Sequence, residues 1–355
     1  MNILKTTALR LLLIFSVSFL LINPCYNQPD RKRGDIRVMF YNVENLFDTV
    51  DNTGVMDEEY TPGSNKRWNS YKYYKKLQAI FKVIAFAGET SPPEVIGLVE
   101  IENKKVLEDL ISITPLERYN YGIIHYNSPD RRGIDVALLY RKDVMQYVYS
   151  KALPVIDESN SEFYTRDILY AALANKKDTF NFYVNHWPSR RGGMERSESK
   201  RMLASSVLRN HVDSILSSNA NAHIIIGGDF NDEPFNNSIK KGLGAESLAN
   251  DELESYKLYN LTENLQNDCK CGTYRYKGKW NMLDQLIVSG NLLDDNGVAT
   301  CTTCVTIARN LFIQVEDSRY GGYQPYRTYL GPRYQGGFSD HFPVIVDFYI
   351  ESFFR

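Results

Sequence analysis

Six apolar runs in this chain meet an acid, an amide or a histidine at one end, and that arrangement limits what the chain can fold into. Ile36–Phe40 runs into Tyr41-Asn42-Val43-Glu44-Asn45, and Val95–Val99 into Glu100-Ile101-Glu102-Asn103. Phe180–Val184 leads to Asn185-His186-Trp187-Pro188-Ser189-Arg190, and His223–Ile226 to Gly227-Gly228-Asp229-Phe230-Asn231-Asp232. Met282-Leu283 leads to Asp284-Gln285, and Phe338-Ser339-Asp340-His341 precedes the last run, Val344–Phe348. Short runs rich in β-branched and aromatic residues read as strands. Further runs of this kind are Asp135–Tyr140 and Ile168–Ala174. Helical periodicity appears over Tyr71–Ala87, Lys104–Ile113 and Glu195–Ser217. Continuous apolar strands with helices between them imply buried sheets in a layered α/β fold. A strand that delivers a polar group at its tip holds a site on a rigid scaffold.

Composition agrees with a folded enzyme-sized unit. The 355 residues are 43% hydrophobic, 24% charged and 13% aromatic, which excludes wholesale disorder, coiled coil and collagen. No repeat or low-complexity segment interrupts the chain, and residues 36–355 read as one domain. The segments 50–68 and 308–337, rich in Gly, Tyr and Pro, read as surface loops of the kind that frame a site. The net charge of -2 makes no bulk attraction for nucleic acid or anionic membranes, while leaving room for a local basic site.

Taken singly, each strand-end residue has an ordinary structural reading: Asn42 as a turn cap, Asp229-Phe230-Asn231 as an Asx turn, His341 as a packed core histidine. Together they form an inventory of carboxylates, amides and two histidines, which suits a hard divalent cation with general acid–base groups. The chain has neither a Gly-x-x-x-x-Gly-Lys phosphate loop nor a Gly-x-Ser-x-Gly elbow, which disfavours covalent serine catalysis.

The ordered set Asn42, Glu100, Asn185-His186, Gly228-Asp229-Phe230-Asn231, Asp284 and Ser339-Asp340-His341 resembles the endonuclease/exonuclease/phosphatase superfamily. That superfamily includes secreted DNases of the pancreatic type, abasic-site endonucleases, sphingomyelinases and inositol-polyphosphate 5-phosphatases. The resemblance runs from Ile36 to Phe348, and Tyr-Asn-Val-Glu-Asn-Leu-Phe-Asp and Asn-His-Trp-Pro-Ser-Arg look most like bacterial members. It implies a DNase I-like four-layer α/β sandwich of two packed mixed sheets flanked by helices. It implies metal-assisted attack of water on a phosphate ester, with Mg²⁺ expected and Mn²⁺ or Ca²⁺ as alternatives.

By the same resemblance Glu100 is the principal metal ligand, Asp340 a second acidic ligand and Glu44 an accessory one. Asn42 positions the metal or the phosphate. Asp229 orients or deprotonates the attacking water, and Asn231 holds the phosphate or that water. His341 contacts the phosphate, backed by Asp284, and His186 stands near the leaving group with Asp135 as its partner. Arg166 matches a phosphate-contacting arginine. Arg131-Arg132 and Arg190-Arg191 are either solvated loop charge or a phosphate-facing rim around Arg190.

The implied activity is that of an endonuclease or phosphodiesterase, with nucleic acid held through its backbone. A lipid or sugar phosphate hydrolase of the same superfamily is the alternative, and a binding module that has lost catalysis is a third reading. The complete set of site residues argues against the last. No obvious amphipathic or aromatic membrane-docking hairpin is present, which argues mildly against a sphingomyelinase. The expected molecule is a monomer with no stable protein partner.

Lys5 and Arg10 flank an apolar run from Leu11 to Ile22 that is short for a spanning helix and reads as an export leader over residues 1–25. Cys25 stands where a lipoprotein cysteine would, though Ile22-Asn23-Pro24 lacks small residues. A periplasmic, extracellular or outer-membrane-anchored protein is expected, with residues 26–35 as a polar linker. Loss of the leader would remove two basic residues and no acid. The pairs Cys269/Cys271 and Cys301/Cys304 read as disulfides in an exported chain, ahead of a zinc site.

Overall fold

The strand β1 (Ile36–Leu46) is buried at ten of its eleven positions: its apolar stretch 38–41 has no polar face to give to water, and Arg37, Asn42 and Glu44 are buried with hydrogen-bond partners. It lies inside a mixed sheet. The partners are β2 (Val95–Ile101), β3 (Tyr121–His125), β4 (Asp135–Arg141), β12 (Val305–Ile307) and β13 (Val344–Phe348), in the order β12-β13-β1-β2-β4-β3. β1 runs parallel to β2 and antiparallel to β13. The second sheet holds β5 (Gln146–Leu153), β6 (Ile168–Ala174), β7 (Thr179–His186), β8 (His223–Asp229), β9 (Ala245–Glu246), β10 (Leu258–Asn260) and β11 (Asp284–Ser289). Its order is β5-β6-β7-β8-β11-β10-β9, with β7 parallel to β8 and β8 antiparallel to β11. This computed structural model describes residues 33–248, 253–269, 271–294 and 297–350. The expected leader with Cys25, and residues 26–32 of the expected linker, lie outside the described residues.

The period of two along each strand sorts its side chains into layers. Val38 and Phe40 of β1 point into the space between the sheets, where they meet Phe182, Val184, Ile225 and Leu286 of the second sheet. Met39, Tyr41 and Val43 point the other way, onto helix α1 (Ser70–Gly88) through Leu77, Ile80 and Ile84. On the far side Tyr183, Ile224, Ile226 and Ile287 pack on helix α3 (Met194–Ser218) through Ala204, Leu208 and Val212, spaced four apart. The result is helix, sheet, sheet, helix, as expected. Asn69 caps α1 by accepting the Lys72 N–H, and Asn103 caps α2 (Lys104–Ser112) by accepting that of Val106. No helix among the described residues is long and apolar enough to cross a membrane.

Several elements depart from the sequence reading: β3, β9, β10, β12 and a hairpin of Tyr274–Tyr276 with Lys279–Asn281 were not expected as strands. β5 was not expected as a strand, because Gln146–Tyr149 are all exposed at the sheet edge and carry no apolar run. A short helix, α4 (Thr262–Cys269), was also not expected. The segment 308–337 is not irregular throughout: it holds two small hairpins, Gln314–Glu316 with Tyr323–Pro325 and Tyr329–Leu330 with Arg333–Tyr334. It meets the 50–68 segment where the Tyr329 hydroxyl donates to the Lys66 carbonyl at 3.0 Å. Cys301 and Cys304 are joined by a disulfide, and Cys271 is also disulfide-bonded. The Cys269 side chain lies outside the described residues.

Phe40 packs against a neighbouring strand of its own sheet at Gly97 and against the second sheet at Gly227. Its ring fills the space that a side chain at Gly97 or Gly227 would need: a Cβ would fall 2.4 Å from the ring at Gly97 and 2.3 Å at Gly227. Gly227 leads into the Asp229 end of β8, so this packing also sets where that acid emerges. Gly227→Ala should therefore lower stability by about 1–3 kcal/mol, read as a lower urea midpoint. An unchanged midpoint would contradict this packing.

Candidate active site

Strand register brings the polar ends to one edge of the sandwich. His186 at the end of β7 pairs with Asp229 at the end of β8, and Asp229 pairs with Asp284 at the start of β11. In the other sheet Asn42 of β1 lies opposite Val99, one residue before Glu100. Ser339 ties the last motif to this edge: its hydroxyl donates to the Asn42 carbonyl at 2.7 Å and accepts the His341 N–H at 3.1 Å.

The backbone here is unusual. Glu44, Asn45, Glu100 and Asn231 take positive φ values of 53°, 57°, 67° and 51°. Together they make half of the non-glycine residues in that region among the described residues, so the strain is concentrated at one place. Gly228, at φ 122°, allows β8 to pass Asn185, whose carbonyl oxygen would lie 2.1 Å from an added Cβ. Directly after it comes Asp229.

Asp229 is the centre of the arrangement. It is 2% exposed, and its Oδ2 accepts the Asn42 side-chain amide at 3.1 Å while Oδ1 accepts the Asn231 N–H at 2.9 Å. The same Oδ2 lies 3.8 Å from His186 Nε2 and 3.9 Å from His341 Nε2. Burial pushes the Asp229 carboxyl up to about 7; His341 opposes the rise, and Asp284 and Glu100 add to it.

The two histidines differ in charge. Burial lowers the His186 pKa well below its ordinary value, and the cations Arg166 and Arg132 lower it further. Its Nδ1 is buried without a hydrogen-bond partner. Burial would also lower His341, but Asp284 and Asp229 outweigh it and hold that imidazole well above the ordinary value. Asp284 Oδ2 lies 2.6 Å from His341 Nδ1, which leaves Nε2 facing Asp229. The Tyr274 ring covers the imidazole at 4.8 Å.

Several expected roles need correction. Asp135 does not pair with His186: Oδ2 holds His125 Nε2 at 3.0 Å and Oδ1 accepts the Ser128 N–H at 2.9 Å, so both oxygens are engaged elsewhere. Arg166 does not present its guanidinium as a phosphate contact. It is 6% exposed and donates to the His186 and Trp187 carbonyls at 3.2 and 2.6 Å and to Asp130 at 3.0 Å, clamping the backbone that carries His186. Arg190 likewise anchors the Asn231 turn, donating to the Asn231 carbonyl at 2.7 Å and to Asn236 at 3.0 Å. Asn231 directs its own amide to the Trp187 carbonyl at 3.0 Å.

The expected metal ligands are not equivalent. Glu100 accepts the Asn45 N–H through Oε2, and Oε1 faces the cleft 3.8 Å from His186 Nε2. A single hard oxygen of this kind fits Mg²⁺, which keeps several waters when bound by one or two carboxylates. Glu44 and Asp340 do not fit beside it, because both already pair with Arg327. No three acidic, imidazole or thiol groups converge as an ion cage among the described residues.

Sequence reasoning missed Arg327, Lys76 and Arg201. Arg201, fully buried on α3, pairs with Asp232 at 2.6 Å and so supports the Asn231 turn. Lys76 donates to Thr328 Oγ1 at 2.5 Å and to the Phe338 carbonyl at 2.6 Å. Burial pushes its pKa down to about 8, against the pull of Glu44 and Asp340. The signal for Lys76 was present: it stands in register with Tyr73, Leu77 and Ile80 on the apolar stripe of α1. Arg327 sits in an aperiodic loop with no such signal.

Two packed mixed sheets with a buried acid between two imidazoles define a DNase I-like hydrolytic sandwich. The Endonuclease/Exonuclease/phosphatase family profile matches residues 37–351, and the chain belongs to that family of phosphoesterases. No curated protein matches the sequence. Among solved structures, the human Nocturnin catalytic domain with bound sulfate is similar at 18% identity and TM-score 0.52, over 89% of this chain and 94% of that one. A Bacteroides thetaiotaomicron mannosyl-6-phosphatase is similar at 16% identity and TM-score 0.54, over 88% and 99%. D. rerio TDP2 complexed with a single-strand DNA product is similar at 13% identity and TM-score 0.53, over 88% and 98%. These likenesses concern the fold.

The raised Asp229 pKa has a measurable consequence. Between about pH 4, where an unfolded aspartate ionises, and about pH 7 the folded chain keeps a proton that the unfolded chain has lost. That contribution to stability is complete at the acid end and disappears as pH rises through about 7. Asp229→Asn cannot ionise, so in metal-free buffer its stability should fall less over this window than that of the wild type. Parallel losses in the two proteins would show that Asp229 is not the buried acid described.

Proposed function

We propose that the chain is a metal-dependent hydrolase of phosphate esters, acting as a phosphodiesterase on nucleic acid held through its backbone. The observation that carries this reading is the position of Asp229 Oδ2, 3.8 Å and 3.9 Å from the Nε2 atoms of a neutral and a cationic imidazole. Asp229 Oδ2 accepts a proton from the attacking water as its oxygen approaches phosphorus. His341, kept cationic by Asp284, directs its Nε2 proton at a phosphoryl oxygen and balances the charge that develops there. His186 lies across the same oxygen, where it reaches the leaving group. Asn42 fixes the orientation of the Asp229 carboxylate. Glu100 would hold the metal, with Mg²⁺ the expected ion and Mn²⁺ or Ca²⁺ as alternatives; when bound it would supply positive charge to the phosphoryl oxygens.

Nucleic acid as the substrate class is supported by the similar D. rerio structure, which holds a single-strand DNA product. It is also supported by Arg132, half-buried and close enough to lower the His186 pKa, and by exposed Arg131 and Arg191, which adjoin Arg132 and Arg190 in the chain. Arg131 and Arg132 are partly balanced by Glu162 and Asp130, so the local attraction is moderate. The basic-then-apolar opening of the sequence supports placing this activity outside the cytoplasm.

The test is hydrolysis of plasmid DNA and of small phosphate monoesters by the full chain, with Mg²⁺ and with excess chelator. DNA cleavage should require Mg²⁺, and Asp229→Asn or His341→Ala should reduce turnover by roughly 10²–10⁴ without loss of the fold. Near wild-type rates in either variant would remove the site assignment. Cleavage undiminished in chelator would remove the metal, and turnover of monoesters alone would move the substrate to a sugar or lipid phosphate.

A further inference from the structure

Glu44 and Asp340 stand where the family resemblance asks for a cation, and the chain supplies one itself. Arg327 Nη2 donates to Asp340 Oδ2 at 2.7 Å, and Arg327 Nε lies 3.4 Å from Glu44 Oε1. The remaining Glu44 oxygen accepts the Thr328 N–H at 2.5 Å. We propose that the Arg327 guanidinium takes the place of a divalent cation between Glu44 and Asp340, so that this chain binds a single ion, at Glu100.

Three physical points carry the inference. First, the Glu44 and Asp340 side chains are only 7% and 20% exposed, and two largely buried carboxylates that act on each other need nearby positive charge, which Arg327 supplies by direct contact and Lys76 from farther off. Second, a guanidinium stays charged at any ordinary pH and offers a rigid fork that serves two acceptors at once. A compact ion such as Mg²⁺ demands near-octahedral oxygen ligands at roughly 2.0–2.1 Å, which these carboxylates cannot offer while they hold the fork. Third, the arrangement is braced. Lys76, 2% exposed, donates to Thr328 Oγ1 and to the Phe338 carbonyl, which fixes the residue after Arg327 and the segment entering Asp340.

The guanidinium also faces open space, as a bound ion would. Its side chain is 37% exposed and lines, with Tyr60, Lys66 and Tyr329, a cavity of about 230 Å³ beside Glu44. Arg327 is in this sense a positioning residue: it fixes two carboxylates and carries a charge that needs no loading.

The single ion at Glu100 rests on the metal-dependent reading above, so the test is made without substrate. Mn²⁺ is titrated into the metal-free full chain, and free and bound ion are counted by electron paramagnetic resonance. One Mn²⁺ per chain is expected. Glu100→Gln should weaken it by roughly tenfold or more, whereas Glu44→Gln and Asp340→Asn should leave its affinity unchanged. Arg327→Met should open a second Mn²⁺ site that is lost again when Glu44→Gln is added, and Arg327→Lys should keep the count at one. Two ions in the wild type overturn the proposal, as does one ion that is lost in Glu44→Gln or Asp340→Asn. If Arg327→Met does not fold, the wild-type, Glu44→Gln, Asp340→Asn and Glu100→Gln titrations still decide it. Failure to hydrolyse any phosphate ester while the count holds at one would count against the proposed reaction instead.

Discussion

The hydrogen bond from the Asn42 amide to Asp229 Oδ2 crosses from one sheet to the other, and the site depends on it. Every polar group that Asn42 contributes beyond the strand ladder has a task. Its Nδ2 holds Asp229, its Oδ1 accepts the Glu44 N–H at 3.0 Å, and its carbonyl accepts Ser339. The Asn42 side chain thus orients the acid and shapes the turn that carries Glu44, while its backbone carbonyl anchors the segment that carries Asp340 and His341. A buried polar group stripped of its partner costs about 1–3 kcal/mol, so losing Asn42 would disturb several groups at once. The packing of Phe40 against Gly227 of the second sheet holds the sheets close enough for this bond to form.

The fold was legible where strands are buried on both faces. Such strands carry apolar side chains on both faces over most of their length, so β1, β2, β7 and β8 announce themselves in the sequence. β5 escaped because an edge strand with Gln146–Tyr149 in solvent obeys no such requirement. Helices α1 and α3 were found to within a residue at each end because each packs an apolar stripe on a sheet. The hairpins within 308–337 were hidden because two- and three-residue strands leave no periodic trace.

For the site, positions were easier to read than partners. A strand tip fixes where Glu100, His186, Asp229 and Asp284 emerge, and the structure brings them together. What each touches depends on chain segments remote in sequence, which no local pattern encodes. Asp135 therefore found His125 rather than His186, and Arg166 turned inward to the His186 backbone. Arg327 lies 283 residues from Glu44 in a loop without periodicity, so nothing local could tie them together.

The contrast between the two histidines shows why net charge says little about such a site. His341 lies between Asp284 and Asp229 and is held cationic; His186 is buried near Arg166 and Arg132 and is held neutral. Both reach the same Asp229 oxygen at nearly equal distance. Opposite neighbours thus give one residue type two protonation states, and oppositely shifted groups side by side are what acid–base division of labour requires. The chain as a whole carries -2, yet a permanent guanidinium, a buried lysine and an imidazolium stand at this edge among its acids. Several of the acids are held by those cations, so what a phosphate group meets there is the local balance of partners, which a sum over the sequence does not contain.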